Sequence, residues 1–328
     1  MKIWVLIDNK VGSSKQSLAL AKILGQKFSI KKISYTLLAK IPNCLPNVSK
    51  YTITKKTRLK LTRLTAPDVI IGAGRKLARV LIYLKTLYPG VQLVQILKPQ
   101  IPLKHFNAVI IPHHDTIRYA SKADLKKVIR IDGAIVWHDP VEMKQIKTAW
   151  QPQFLHLLKY RIALLIGGNS KNCKIQHKHA LDLANKTIEI AKANGASLLV
   201  TNSRRTPLET SRIIFGSIRK SGVKAVFYDA NSNILENPYK AYLACADAII
   251  VTGDSISMCA EAIATGKPVL VYGPKGMIGN KHWKFINHLL ENNRISLLAE
   301  ANLNLKIDQI QCQIELKDKL LSILDTND

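Results

Sequence analysis

No apolar run in this 328-residue sequence approaches the roughly 18 to 20 residues that a helix needs to cross a bilayer, so no membrane span is expected. The opening "MKIWVLIDNK" meets Asp8 too early for the apolar region of a signal peptide, which leads to the expectation of a cytoplasmic protein. Cysteine is scarce: Cys44, Cys173, Cys245, Cys259 and Cys312 are odd in number and form no CxxC pair. Reduced thiols are expected, and neither a disulfide framework nor a zinc site is. Low-complexity segments and short-period repeats are absent. Aromatic residues make up 6% of the chain, too few in basic context to stack bases, so no nucleic-acid partner is expected.

Acidic residues are also scarce, with 22 Asp and Glu against 49 Lys and Arg, a formal net charge of +27. A field of that sign attracts nucleic acid, anionic lipid or phosphorylated substrates. The surplus has a second reading, because the chain is rich in Lys, Ile and Asn together, as AT-biased coding sequence gives. The densest basic stretch, "KYTITKKTRLKLTRL" (50–64), interleaves Leu and Thr with its cations and suits an anionic membrane surface.

What is abundant is alternation. Short apolar, β-branched runs at 2–8, 67–74, 91–97 and 107–112 are expected strands, with helices at 15–25 (stopped by Gly25) and 77–90. The pattern breaks over 139–160, which holds two prolines and no strand-like run and reads as the crossing between domains. It then restarts, with strands at 161–168, 197–202, 224–229, 248–253 and 268–273. Helices are expected near 177–194, 207–220, 238–247, 257–265 and 282–293. Continuous apolar strands separated by helices predict α/β architecture with parallel sheets covered on both faces. The expectation is two doubly wound, Rossmann-like domains, 1–150 and 151–328, facing a cleft, with the last helices as candidates to cross back. Ligands in such sheets bind outside the carboxyl ends of the strands.

Three strand-to-helix turns of the second half carry candidate binding residues. In "VTGDSISMCAEAIATGKPV", Thr252, Gly253, Asp254, Ser255 and Ser257 stand between strand and helix, where free N–H groups and the helix dipole favour an anion. Gly253 allows close backbone approach, and Ser255 and Ser257 either cap the helix or donate to phosphate oxygens. Ser257 has Ala260 three residues on, so Glu261 is not part of a capping box there. At ~100° per residue it shares a face with Ser257 and Thr265, opposite Cys259 and Ile263, where a carboxylate can accept both hydroxyls of a ribose. In "VTNSRRTPLE", Thr206, Pro207 and Glu209 read as cap, first helical residue and first-turn acid. Arg204 and Arg205 are left over for a diphosphate. "LIGGNSK" supplies Gly167, Gly168 and Ser170 in a third such turn, while "HKH" (177–179) reads as a solvated helix start. In the first half, "DNKVGSSKQ", "GAGRK" and "PHHDT" end strands, and Asp8, His114 and Asp115 are the candidates for a general base. A metal reading of His113, His114 and Asp115 is weak, because neighbours on a strand point to opposite faces.

The stretches "PDVIIGAGR", "PHHD", "IGGNSK", "VTNSRRTP", "ENPYKAYLACADAIIVTGDSISMCAEAIATGKPV" and "NKHWKF" together span most of the chain. On them the chain resembles the bacterial relatives of the plant mitochondrial-fission "elongated mitochondria" family, whose members look like glycosyltransferases of the GT-B fold. The longest stretch is also similar to the donor-binding segment of the lipid-linked muropeptide glucosaminyltransferases, in which a Glu at the position of Glu261 holds the nucleotide ribose. That resemblance implies a nucleoside-diphosphate sugar as substrate, no cofactor, no obligatory metal, and a cell-envelope lipid or saccharide as acceptor. One departure stands out: the relatives have Gly-His in the first glycine loop, and this chain has Gly12-Ser13. If that histidine is the base in relatives, Asp8, His114 or Asp115 replaces it here, or the chemistry is altered or lost. The expected function is sugar transfer from a nucleotide sugar. Its rivals are a non-catalytic membrane-associated fission-type protein and a nucleotide-sugar epimerase or hydrolase.

Overall fold

The structure, a computed structural model, describes residues 1–41, 49–117, 120–232, 236–304 and 309–325. Cys44 lies outside these residues, and the other four cysteines are free thiols, as expected. The chain forms two compact units, residues 1–137 with 310–328, and residues 138–309.

In the first unit the elements run β1 (Ile3–Ile7), α1 (Val11–Leu24), β2 (Phe28–Lys32), α2 (Lys55–Thr62), β3 (Val69–Ala73), α3 (Arg75–Leu87), β4 (Gln92–Ile96), β5 (Ala108–Pro112), α4 (Lys122–Lys126) and β6 (Val128–Ile131). Its six strands are parallel in the order β2-β1-β3-β4-β5-β6. Such a sheet must hide both faces, which is why β3 and β5 are apolar and buried throughout. Successive residues of β1 serve opposite cores: Ile3 and Val5 pack with Leu20 and Leu24 of α1, whereas Trp4 and Leu6 pack with Leu77 and Leu81 of α3. Gly25 ends α1 in the left-handed conformation (φ 69°), returning its N–H to the Lys22 carbonyl, so the stop expected there is present.

The second unit runs α5 (Pro140–Trp150), β7 (Arg161–Leu165), α6 (His177–Ala193), β8 (Ser197–Thr201), α7 (Leu208–Lys220), β9 (Ala225–Tyr228), α8 (Tyr239–Cys245), β10 (Ala248–Thr252), α9 (Ile256–Ile263), β11 (Val269–Tyr272), α10 (Asn280–Glu291) and β12 (Ser296–Leu297). Its sheet is again six-stranded and parallel, ordered β12-β11-β10-β7-β8-β9. The chain winds outward from β7 through β8 and β9, then returns and winds the other way through β10, β11 and β12. A switch point therefore lies between β7 and β10, and the equivalent in the first unit lies between β1 and β3. A last helix, α11 (Gln309–Asp325), belongs to the first unit, where Leu316, Leu320 and Leu324 are buried beside Ile3 and Leu20.

Several elements depart from the sequence expectation, each for a local reason. β2 ("FSIKK") and β6 ("VIRI") lie at the two edges of the first sheet and are only part-buried, so neither shows a continuous apolar run. The segment read as a crossing contains α5, capped by Asp139, whose carboxylate accepts from the N–H groups of Val141 and Glu142, with Pro140 at the first position. α5 packs on α8, and the Glu142–Lys240 ion pair spans them at 2.5 Å, which draws 138–150 into the second unit. The basic stretch contains α2, capped by Thr54, with only Thr57 and Leu61 buried. Of the "HKH" helix start, His177 and Lys178 are exposed as expected. His179 is buried, and its Nδ1 accepts from the Gln176 N–H at 3.2 Å.

Candidate functional site

The turns after β7, β8 and β10 meet at the switch point of the second sheet and are bonded to one another. The Gly167 N–H donates to Thr252 Oγ1 at 2.7 Å, the Gly168 N–H donates to Asp254 Oδ2 at 2.8 Å, and the Asn169 N–H donates to the Arg205 carbonyl at 3.0 Å. The Thr206 hydroxyl donates to the Gly167 carbonyl and accepts from the Ser203 N–H. Thr206 is therefore not the cap of α7, which begins one residue later than expected, behind Pro207 and without a side-chain cap. A hydroxyl read as local punctuation instead ties two loops together.

The glycines in these turns serve close approach. A Cβ on Gly168 would stand 2.2 Å from the Arg205 carbonyl carbon, and one on Gly253 would stand 2.6 Å from Ile286 Cδ1. Both N–H groups of the Gly167-Gly168 pair are spent inside the protein, so this pair does not cradle a phosphate, contrary to the usual use of such a loop. The Ser170 N–H is likewise spent, bonded to the Cys173 carbonyl at 2.9 Å.

The open donors lie at α9. Ser255, not Ser257, is its cap and accepts from the Met258 N–H at 3.4 Å. The N–H groups of Ile256 and Ser257 lie in the first turn and have no intrahelical acceptor, and the Ser257 side chain is exposed. Arg204 and Arg205 are both exposed. Only the charge of Arg205 is felt by Asp254 and His282, which separates two residues that the sequence left equivalent.

Asp254 is 3% exposed. Burial pushes its carboxyl above the usual range, opposed by the neighbouring Thr252 hydroxyl, the Gly168 N–H and the Arg205 charge. Oδ2 is bonded to Gly168, while Oδ1 is buried with no hydrogen-bond partner among the described residues. His282, on the first turn of α10, stands beside Cys173, with Nδ1 3.5 Å from the thiol sulfur. Burial holds His282 below its ordinary pKa of 6.5, partly offset by Asp254.

Glu261 is half-buried on the face of α9 opposite the buried Cys259 and Ile263, as the helical spacing required. Its backbone carbonyl is bonded to His138 Nε2 at 2.8 Å. Its carboxylate faces the buried Tyr239 hydroxyl, whose pKa rises well above 10.0 through burial and the Glu261 charge. His138 is held below its ordinary value by burial. Sequence reasoning named Asp254 in its turn but gave it no role of its own, and it missed His282, which stands in a quoted motif. It also missed His138 and Tyr239, which carry no periodic or capping signal.

In the first unit Asp8 follows β1 at the switch point, but both its oxygens are engaged. Oδ1 accepts from the Lys10 N–H at 2.8 Å and Oδ2 from the Tyr35 hydroxyl at 2.9 Å. Ser13 approaches Gly74 at the start of α3, 3.5 Å from where a Cβ on that glycine would be. His114 and Asp115 sit in the turn after β5, where the Asp115 carbonyl accepts from Arg130 Nη1 at 2.6 Å. Three strand spacings separate β1 from β5, roughly 14 Å, so Asp8 does not join His114 and Asp115 in one catalytic group.

A family model described as Mitochondrial fission ELM1 matches residues 11–317. The Uncharacterized protein RP120 of Rickettsia prowazekii (strain Madrid E) is 30% identical, across 92% of this chain and 91% of that protein. Mitochondrial fission protein ELM1 of Arabidopsis thaliana is also 30% identical, across 63% of this chain, which spans about half (52%) of that protein's length. Among solved structures, the UDP-GlcNAc 2-epimerase from Methanocaldococcus jannaschii superimposes with a TM-score of 0.51 at 12% identity, covering 97% of this chain and 99% of that one. That likeness is one of fold, the paired Rossmann-like arrangement of GT-B proteins. With its family match running nearly end to end and a relative alike over nine-tenths of both chains, the protein belongs to the mitochondrial fission ELM1 family.

Proposed function

We propose that the second unit binds a nucleoside-diphosphate sugar and that the protein transfers the sugar to an acceptor hydroxyl. The observation that carries this reading is the bonded convergence of three turns at the β7/β10 switch point, with the start of α9 open beside it and Glu261 one turn deeper. The helix N-terminus and Arg205 stabilise the diphosphate, both in the bound ligand and as the leaving group, without calling on a metal. Glu261 accepts the ribose hydroxyls. The first unit takes the acceptor and supplies a base from its strand ends, and Asp8, His114 and Asp115 remain separate candidates for that role. Support for the ligand class comes from the epimerase of similar fold, whose name gives it UDP-GlcNAc as substrate. The test is a thermal-shift and calorimetric screen of the protein against nucleoside diphosphates and their sugars, followed by product analysis. Transfer, epimerisation and hydrolysis give different products. Failure of every nucleotide to bind overturns the proposal.

A second reading, peripheral docking on an anionic membrane with or without catalysis, has its own observation. Before Asp115 the chain holds only two acids, Asp8 and Asp68, against twenty Lys and Arg. One part of that surface also carries exposed apolar side chains. Thr36 bonds to the Tyr51 and Thr52 carbonyls, which sets Leu37 (80% exposed) beside Tyr51, and Arg58 of α2 reaches back to the Lys50 carbonyl. No helix among the described residues is long and apolar enough to cross a membrane, so this reading concerns the surface only.

A further inference from the structure

The anion-binding end of α9 contains a residue that an anion site does not call for. Asp254 directly precedes the cap, is buried, and offers a second acceptor oxygen that makes no hydrogen bond among the described residues. A buried polar atom without a partner requires an explanation. Pinning Gly168 accounts for Oδ2 only. Nor is the carboxylate there by default, because Gly167 gives up its side chain to admit it: a Cβ at that position would meet Oδ2, Oδ1 and Cγ within 2.6 Å.

We propose that Asp254 is a specificity residue that makes this site favour a glycosyl ester over a bare nucleoside diphosphate. The inference rests on the nucleotide-sugar reading above. The terminal phosphate of a nucleoside diphosphate carries about −1.5 to −2 charge near neutral pH. Esterification with a sugar removes the second ionisation and brings hydroxyl or amide donors instead. A carboxylate under the mouth of the site repels the first ligand more than the second, and its unanswered oxygen accepts a donor that only the second supplies. Arg205, the cation felt by Asp254, holds the opposing half of the balance and favours the more charged ligand. The helix end thus receives the diphosphate bridge, and the buried acid checks what is attached beyond it.

The experiment measures the affinity of the full chain for UDP and for UDP-GlcNAc, in the wild type and in the Asp254→Asn and Arg205→Gln variants. Wild type is expected to prefer the sugar ester. Asp254→Asn keeps an oxygen for the Gly168 N–H and removes the charge, so UDP should tighten and UDP-GlcNAc weaken. The preference should collapse by about tenfold, the scale of a hydrogen bond to a charged group. Equal weakening of both ligands by Asp254→Asn makes the residue merely structural and overturns the inference. If Asp254→Asn does not fold, Arg205→Gln decides: a preference that grows supports the proposal, and one that stays constant overturns it. If wild type binds neither ligand, the nucleotide-sugar reading itself has failed. If it binds both and prefers UDP, only the present inference has.

Discussion

The carboxylate of Asp254 lies so close to Gly167 that a Cβ built on the glycine would stand 2.2 Å from Oδ2. Gly167→Ala should therefore expel a buried acid, while Gly168→Ala meets the backbone of Arg205 and Thr206, which cannot swing aside. Overpacking of this kind costs about 1 to 3 kcal/mol, and the Gly168 variant belongs at the upper end. Denaturant unfolding of the two variants checks the order. A neutral Gly168→Ala would mean that the loops do not meet as described.

Glu261→Ala should weaken nucleoside binding by about 1 to 3 kcal/mol, the cost of leaving buried partners unanswered. Because Tyr239 faces the same carboxylate, Tyr239→Phe should give a smaller loss of the same kind. Calorimetry with a nucleoside and its diphosphate measures both. Unchanged affinity in a folded Glu261→Ala variant removes Glu261 from the site.

The two arginines should now behave differently. Arg205→Lys keeps the charge beside Asp254 and His282 but loses the forked donors, so diphosphate should weaken more than nucleoside. Arg204→Lys should change neither by more than about 0.5 kcal/mol, as at an ordinary surface position. Equal losses from both substitutions would return the pair to equivalence.

Acid should destabilise the second unit through its histidines. Burial holds His138, His179 and His282 below the ordinary 6.5, so the unfolded chain binds these protons more tightly than the folded one. The stability linked to them is whole above pH 6.5 and is lost as pH falls below it. Melting temperature should drop between pH 7.5 and about 5, and His138→Asn should reduce the drop. A flat profile in wild type would contradict the burial of these rings.

Vesicle sedimentation tests the basic, leucine-bearing surface. Binding to anionic but not neutral vesicles is expected, fading as salt shortens the Debye length from about 10 Å toward about 3 Å. Leu37→Ser together with Lys50→Glu should reduce it, and excess RNA should not compete it away. Indifference to lipid charge at low salt would end the membrane reading.

The sequence by itself determined the two parallel α/β sheets, most strand and helix positions, the Gly25 stop and the face of α9 that carries Glu261. Those features follow from periods and end signals that act within a few residues: continuous apolar runs, glycine at a helix end, 3.6-residue spacing. Even the overlooked α5 was announced by Asp139-Pro140. Only the tertiary structure decided that Thr206 joins loops rather than capping a helix, that the Gly167 and Gly168 N–H groups are already spent, and that Asp8 stands apart from His114 and Asp115. It also singled out Arg205 from Arg204 and brought Asp254, His282, His138 and Tyr239 into view. The physical reason is sheet order. Which turns become neighbours depends on how strands distant in sequence pair side by side, and β7 lies between β8 and β10 although β10 begins at Ala248, 87 positions after Arg161 at the start of β7.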